Sequence, residues 1–271
     1  MARIQLYLEY EGTHYVGWQR QANGLSIQTC IEAALADLLG APVSLWVAGR
    51  TDAGVHARRQ VAVFESPSQL PLRAFIKGVN ARLPSDIAVV GAQVVADNFH
   101  PRHMSKSKHY AYSISNRPCR SPLRRLTHWQ IFKPLDVEAM QKGAAFFLGT
   151  HDFSSFRASD CKAHHAIRRL DVSCIEGESG GDILCSFRGT AFLKHMVRSM
   201  VGSLVEVGKA RHPPEWIAQV LAQKSRCAAG PTAPSHGLVL EEVVFGEREQ
   251  ASDIELSNNT SQEDDAGLEE E

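Results

Sequence analysis

Asp52 is the one acid in the stretch GRTDAGVHARRQ, residues 49–60, with Arg50 on one side and Arg58 and Arg59 on the other. Neighbouring guanidinium groups favour the ionised form of a carboxylate. Held that way on a small-residue loop, it can act as a nucleophile or a base. Three cations around one acid leave surplus positive charge, which suits a phosphate. An aspartate that caps a turn and pairs with an arginine would use the same residues without chemistry. No Ser-His-Asp arrangement surrounds it, and His56 reads as a hydrogen-bonded loop histidine.

Two further groups have matching chemistry. Tyr110 and Tyr112 in KHYAYSIS share one face of a strand. Either both rings are core, or one faces a cleft and stacks on a nucleobase. Lys106, Lys108 and His109 beside them favour the second reading. Arg198, with Lys194 nearby, flanks an apolar stripe at 193, 196, 197, 200, 201 and 204. It can snorkel to solvent or reach across to Asp52. Arg117, Arg120, Arg124, Arg125, Arg157, Lys162, Arg168 and Arg169 are spread over the second half and could track a folded RNA backbone. CKAHHA (161–166) carries ligand types, but no second cluster has finger-like spacing, so no metal is expected. No GxGxxG or GxxxxGK[ST] run supports a nucleotide cofactor.

The formal net charge of −1 hides an asymmetry. Residues 247–271 carry ten acids and one arginine, a charge of −9, which leaves 28 basic and 20 acidic residues, or +8, for 1–246. A basic body suits a polyanionic partner. The acidic tail, 247–271, has little to bury and is expected to be disordered. Six cysteines without a CxxC pair fit reduced thiols and a cytoplasmic protein. No window is long and apolar enough to suggest a membrane span.

Positioning these groups requires strands and helices in a definite order. IQLYLEY (4–10) reads as a strand. SIQTCIEAALADLLG (26–40) is a helix capped by Ser26 and stopped by Gly40. VSLWVAG (43–49) and QVAVFES (60–66) are strands on either side of the acid's loop, followed by a helix at 72–83 and a strand at 87–95. The second half repeats this order with insertions. It has strands at 108–115, 126–131, 167–176, 181–189 and 238–246 and helices at 135–149, 191–208 and 213–223, with a long loop at 150–166. The expectation is an α+β protein. Two ferredoxin-like α/β domains with antiparallel sheets, 1–104 and 105–246, would flank a central basic cleft.

GRTDAGVHA (49–57) resembles the signature of the tRNA pseudouridine synthase A family. YEGTHYVGWQRQ (10–21), FHPRH (99–103), NRP (116–118), GTHDFSSFRASDC (149–161), HMVRSMVG (195–202) and AGPTAPSHGL (229–238) follow in the family's order. Departures fall at His103, Ser199 and His236, and at the glycine before the 190–193 stretch, and none touches the signature acid. The resemblance implies isomerisation of uridine to pseudouridine at positions 38, 39 and 40 of tRNA, by a homodimer without metal or organic cofactor. It implies Asp52 as the catalytic acid, Arg198 as its ion-pair partner and Tyr110 as the base-stacking ring. Arg50 is implied in base flipping, and Leu238 lies beside the bound base. Arg58 is a further expected contact to substrate. Attack at the ribose C1′, removal of the 2′ hydrogen, or attack at C6 of the base all remain open. A uracil-releasing glycosylase and an RNA-binding module without catalysis are the alternatives.

Overall fold

In the computed structural model, residues 2–246 are described in full and 255–256 as backbone alone. The chain runs β1 (Ala2–Tyr10), α1 (Ile27–Leu39), β2 (Trp46–Val47), β3 (His56–Ser66), α2 (Leu72–Asn80), β4 (Ile87–Val95) and a single turn α3 (Pro101–Met104). The second half runs β5 (Ser107–Ser115), β6 (Trp129–Gln130), α4 (Val137–Ala145), β7 (Gly149–Asp152), β8 (Ile167–Gly177), β9 (Asp182–Gly189), α5 (Met196–Gly208), α6 (Trp216–Gln223) and β10 (Leu238–Val244). The two-residue strand β11 (Glu255–Leu256) pairs with β4. The rest of the acidic tail, 247–254 and 257–271, lies outside the described residues.

Local sequence accounts for α1. The Ser26 hydroxyl accepts the Thr29 N–H at 3.2 Å and Gly40 closes the helix in the left-handed region at φ 69°. A cap of this kind contributes about 1 kcal/mol. Ile27, Ile31, Ala34 and Leu35 recur at helical spacing and are buried.

The α+β expectation holds, and each half has the same strand order. The first half reads β4-β1-β3-β2 and the second β10-β5-β9-β8, with antiparallel neighbours throughout. Each sequence is last strand, first, third, second. The two sheets are not separate, however. β10 lies parallel to the start of β3, at Val239↔His56 and Leu240↔Ala57, and antiparallel to β5. This seam fuses the halves into one mixed sheet, which no wholly antiparallel arrangement would contain.

The elements differ from expectation mostly at their ends. The strand expected at 43–49 shrinks to Trp46–Val47, paired with Ala62 and Val63, while β10 pairs with the other end of the same β3 edge. The strand expected at 126–131 is only Trp129–Gln130. The helix expected from 191 begins at Met196, because His195 is left-handed at φ 62°. The loop at 150–166 opens inside β7 and holds a helical turn at Ser154–Phe156.

Candidate functional site

The Asp52 loop is fixed by backbone before its side chain acts. Trp18 N–H donates to Thr51 O at 3.1 Å, and Gly54 N–H donates to Tyr15 O at 3.3 Å. Thr51 Oγ1 and the Tyr10 hydroxyl are hydrogen-bonded at 2.8 Å. Val55 N–H donates to Asp52 O at 3.2 Å, closing the turn. The loop at 12–24, polar and glycine-rich in sequence, is thus the cradle of the acid. Gly17 is required there: it sits at φ +99°, and a Cβ would stand 2.7 Å from Thr51 O.

The second half brings up α5. Its first turn carries Arg198, whose Nε donates to Ala233 O at 2.8 Å. The Arg198 carbonyl in turn accepts the Ala233 N–H at 3.0 Å. Held twice, the guanidinium directs Nη1 to Asp52 Oδ2 at 3.5 Å. The pair is mostly shielded, with side chains 15 % and 25 % exposed for Arg198 and Asp52. Arg198 therefore does not snorkel; it reaches across the seam to the acid.

His195 completes the surroundings of the carboxylate, with Nε2 3.6 Å from Asp52 Oδ2. Burial pushes the imidazole below its ordinary value, and the Arg198 and Lys194 charges act the same way, against Asp52 and Asp160. Its left-handed backbone costs about 1–3 kcal/mol and immediately precedes the turn that aims Arg198. Sequence reasoning gave His195 no role; the only signal is its place three residues before Arg198.

Tyr110 lies on β5, paired with Leu240 of β10 and Phe187 of β9. Its ring is buried and meets Phe192 edge-to-face at 5.0 Å. Its hydroxyl has no hydrogen-bond partner among the described residues, and burial, with Tyr10 and Asp52 nearby, drives its pKa up. Tyr112, on the same face, is core: its hydroxyl donates to Pro234 O at 2.8 Å and its ring meets Trp129. Leu238 opens β10 opposite Tyr112 and is buried. Arg50 is exposed and its guanidinium has no partner among the described residues.

Arg58, expected among the substrate contacts, is exposed and its Nε donates to Glu241 at 2.8 Å. It lines a shallow cavity with Tyr7, Arg59, His109, Glu241 and Glu242. His109 alternates with Tyr110 along β5, so this cavity opens on the sheet face away from the acid. A bulge in β3, where Tyr10 pairs Ala57 but Leu8 pairs Gln60, sets the direction of Arg58 and cannot be read from spacing. Arg59 faces the same way, over the Tyr7 ring at 4.7 Å.

His56 is a structural histidine. Gly12 N–H donates to Nδ1 at 3.0 Å, so Nε2 carries the hydrogen and faces Leu126 O at 2.8 Å and His236 O at 3.0 Å. Of the dispersed arginines, Arg117 and Arg124 both pair with Asp182. Among the departures, His236 Nε2 meets His128 O at 3.0 Å, Ser199 is wholly buried and the His103 ring packs on His100. Among the described residues no group of three or more His, Cys, Asp or Glu side chains is disposed to hold a metal ion, and no helix is long and apolar enough to cross a membrane.

A sequence model for the family described as tRNA pseudouridine synthase matches residues 7–103 and 144–246. The chain is 59% identical over 245 residues to tRNA pseudouridine synthase A of Myxococcus xanthus, covering 90% of this chain and 92% of that one. It is 49% identical to the protein of that name from Pelobacter propionicus and 48% identical to that from Geotalea uraniireducens, over 90% of this chain and the whole of each relative.

Proposed function

Because the chain belongs to the tRNA pseudouridine synthase family, we propose that the Asp52 centre is where it isomerises uridine to pseudouridine in tRNA. The observation that carries this reading is the contact of Asp52 with Arg198 across the seam, 3.5 Å long, with Tyr110 buried beside it.

The reaction breaks the bond between ribose C1′ and N1 of the base, turns the base, forms the C1′–C5 bond, and moves one proton in net from C5 to the freed N1. No electrons enter or leave, so the chain's own acid–base and nucleophilic groups suffice. Asp52 acts at the ribose, by attack at C1′ or by taking the 2′ hydrogen. The Arg198 guanidinium, 3.5 Å away, orients the carboxylate. Arg50, exposed and without a partner among the described residues, fills the gap left when the uridine leaves its stack, a step that costs a few kcal/mol. Tyr110 stacks on the extruded ring, and Leu238 supplies apolar surface beside it. Water must be kept out while the base is detached, and the edge-to-face pair of half-buried Phe192 with buried Tyr110 supports that.

We further propose that the two halves are ferredoxin-like domains flanking a basic cleft, that the substrate uridines are at positions 38, 39 and 40, and that the active form is a cytoplasmic homodimer. The repeated strand order and the +8 body support the first of these. Unmodified tRNA with uridines at 38–40 is the test substrate, given to the wild type and to Asp52→Ala without metal or cofactor. Pseudouridine from the wild type alone is expected. Free uracil would make the protein a glycosylase, and neither product with tight binding would make it a binding module.

A further inference from the structure

Lys108 has a place the isomerisation chemistry does not explain. It lies on β5 two residues before Tyr110, and its side chain is almost wholly buried. The stem runs against Gly49, in the backbone just before Arg50: a Cβ added there would lie 3.0 Å from Lys108 Cε. Its ammonium donates to Ser105 Oγ at 2.9 Å. Among the described residues that is its only hydrogen bond, and no carboxylate faces it. An ammonium has three N–H donors, so two are left over. The charged group nearest in effect is another cation, Arg102, which is exposed and whose guanidinium also has no partner among the described residues. Burial and Arg102 together lower the Lys108 pKa to about 8.

A cation withdrawn from water without an anion costs stability. Here Lys108 lies against the backbone leading to Arg50, with Arg102 close enough to Lys108 to act on its charge, and among the described residues none of the three has an ion-pair partner. We infer that Lys108, Arg102 and Arg50 form a binding site for one phosphodiester of the RNA, next to the nucleotide taken into the Asp52 site. Lys108 is the buried end of the site and Arg102 its exposed rim. Ser105 holds the ammonium in place before the RNA arrives. The site rests on the proposed function above, and it adds a contact to the RNA backbone, which fixes register and carries no base identity.

The test uses the full chain with Asp52→Ala, so that RNA binds without turning over, with and without Lys108→Met or Lys108→Arg. The probe is an unmodified anticodon stem-loop, titrated over a salt series. In companion probes, single phosphates around the target uridine are replaced by uncharged methylphosphonates. Lys108→Met is expected to weaken binding about tenfold and to lower the slope of log affinity against log salt by about one. Lys108→Arg retains most of both. One methylphosphonate should weaken binding to the parent and leave the Lys108→Met protein unaffected. Lys108→Met should also raise Tm, since it removes an uncompensated buried charge, a change opposite to that from losing a structural contact. An unchanged salt slope, or equal losses with Lys108→Met and its parent at every methylphosphonate, overturns the site. Pseudouridine formation by the protein with Asp52 intact is assayed separately, so a failure of the underlying function is read independently.

Discussion

Arg198 divides one guanidinium between an acid and a carbonyl, and this double duty is what a lysine cannot copy. An ammonium carries charge but no planar fork. In Arg198→Lys either the Ala233 O bond or the Asp52 contact goes unmade. The expected result is a fall in kcat of about tenfold or more, with KM for tRNA little changed; single-turnover kinetics on unmodified tRNA check it. At this scale much was legible. Asp52 stood out because it is a lone acid among arginines, Tyr110 because aromatic residues alternate beside lysines, and Arg198 because a cation flanks an apolar stripe. The direction of Arg58 was not legible, because a bulge invisible in residue types sets it. Lys108 was visible only as a neighbour of Tyr110, since burial without a counter-charge is a property of the folded chain.

The seam between β3 and β10 is the element on which the site depends, and His56 is its clamp. Its ring joins Gly12 of the first half to Leu126 and His236 of the second. His56→Ala leaves one N–H and two carbonyls without that partner. A loss of about 1–3 kcal/mol is expected, read as a lower urea midpoint, with activity falling only where unfolding begins. Strand and helix identities were readable from periodicity, β4 to the residue and α1 through its two caps. The parallel pairing was not, because β10 is about 180 residues from its partner in β3 and nothing local marks the register. The late start of α5 was also hidden: 191–195 has apolar residues that fit a helix, and only the left-handed His195 stops it.

Across the whole molecule, burial lowers the pKa of His100, His109, His128, His195 and His236. Each binds a proton less readily folded than unfolded, so between its unfolded value and its lowered one the unfolded chain holds more protons. Their contribution is therefore complete above about pH 6.5 and is lost as pH falls through the lowered values. Tm measured from pH 7.5 to 5 should decline, and a flat profile would contradict the burial of these rings. The order of the strands has another consequence, for synthesis on the ribosome. Asp52 and its cradle are translated early, but Ala233, which holds Arg198, and β10, which joins the halves, come at the very end of the described chain. Until residue 233 has emerged Arg198 lacks its anchor, and until residue 244 has emerged the sheet lacks its middle strand. A chain stopped short of β10 is therefore expected to leave Asp52 and Arg198 unjoined, and the two halves of the site are completed together only at the end of synthesis.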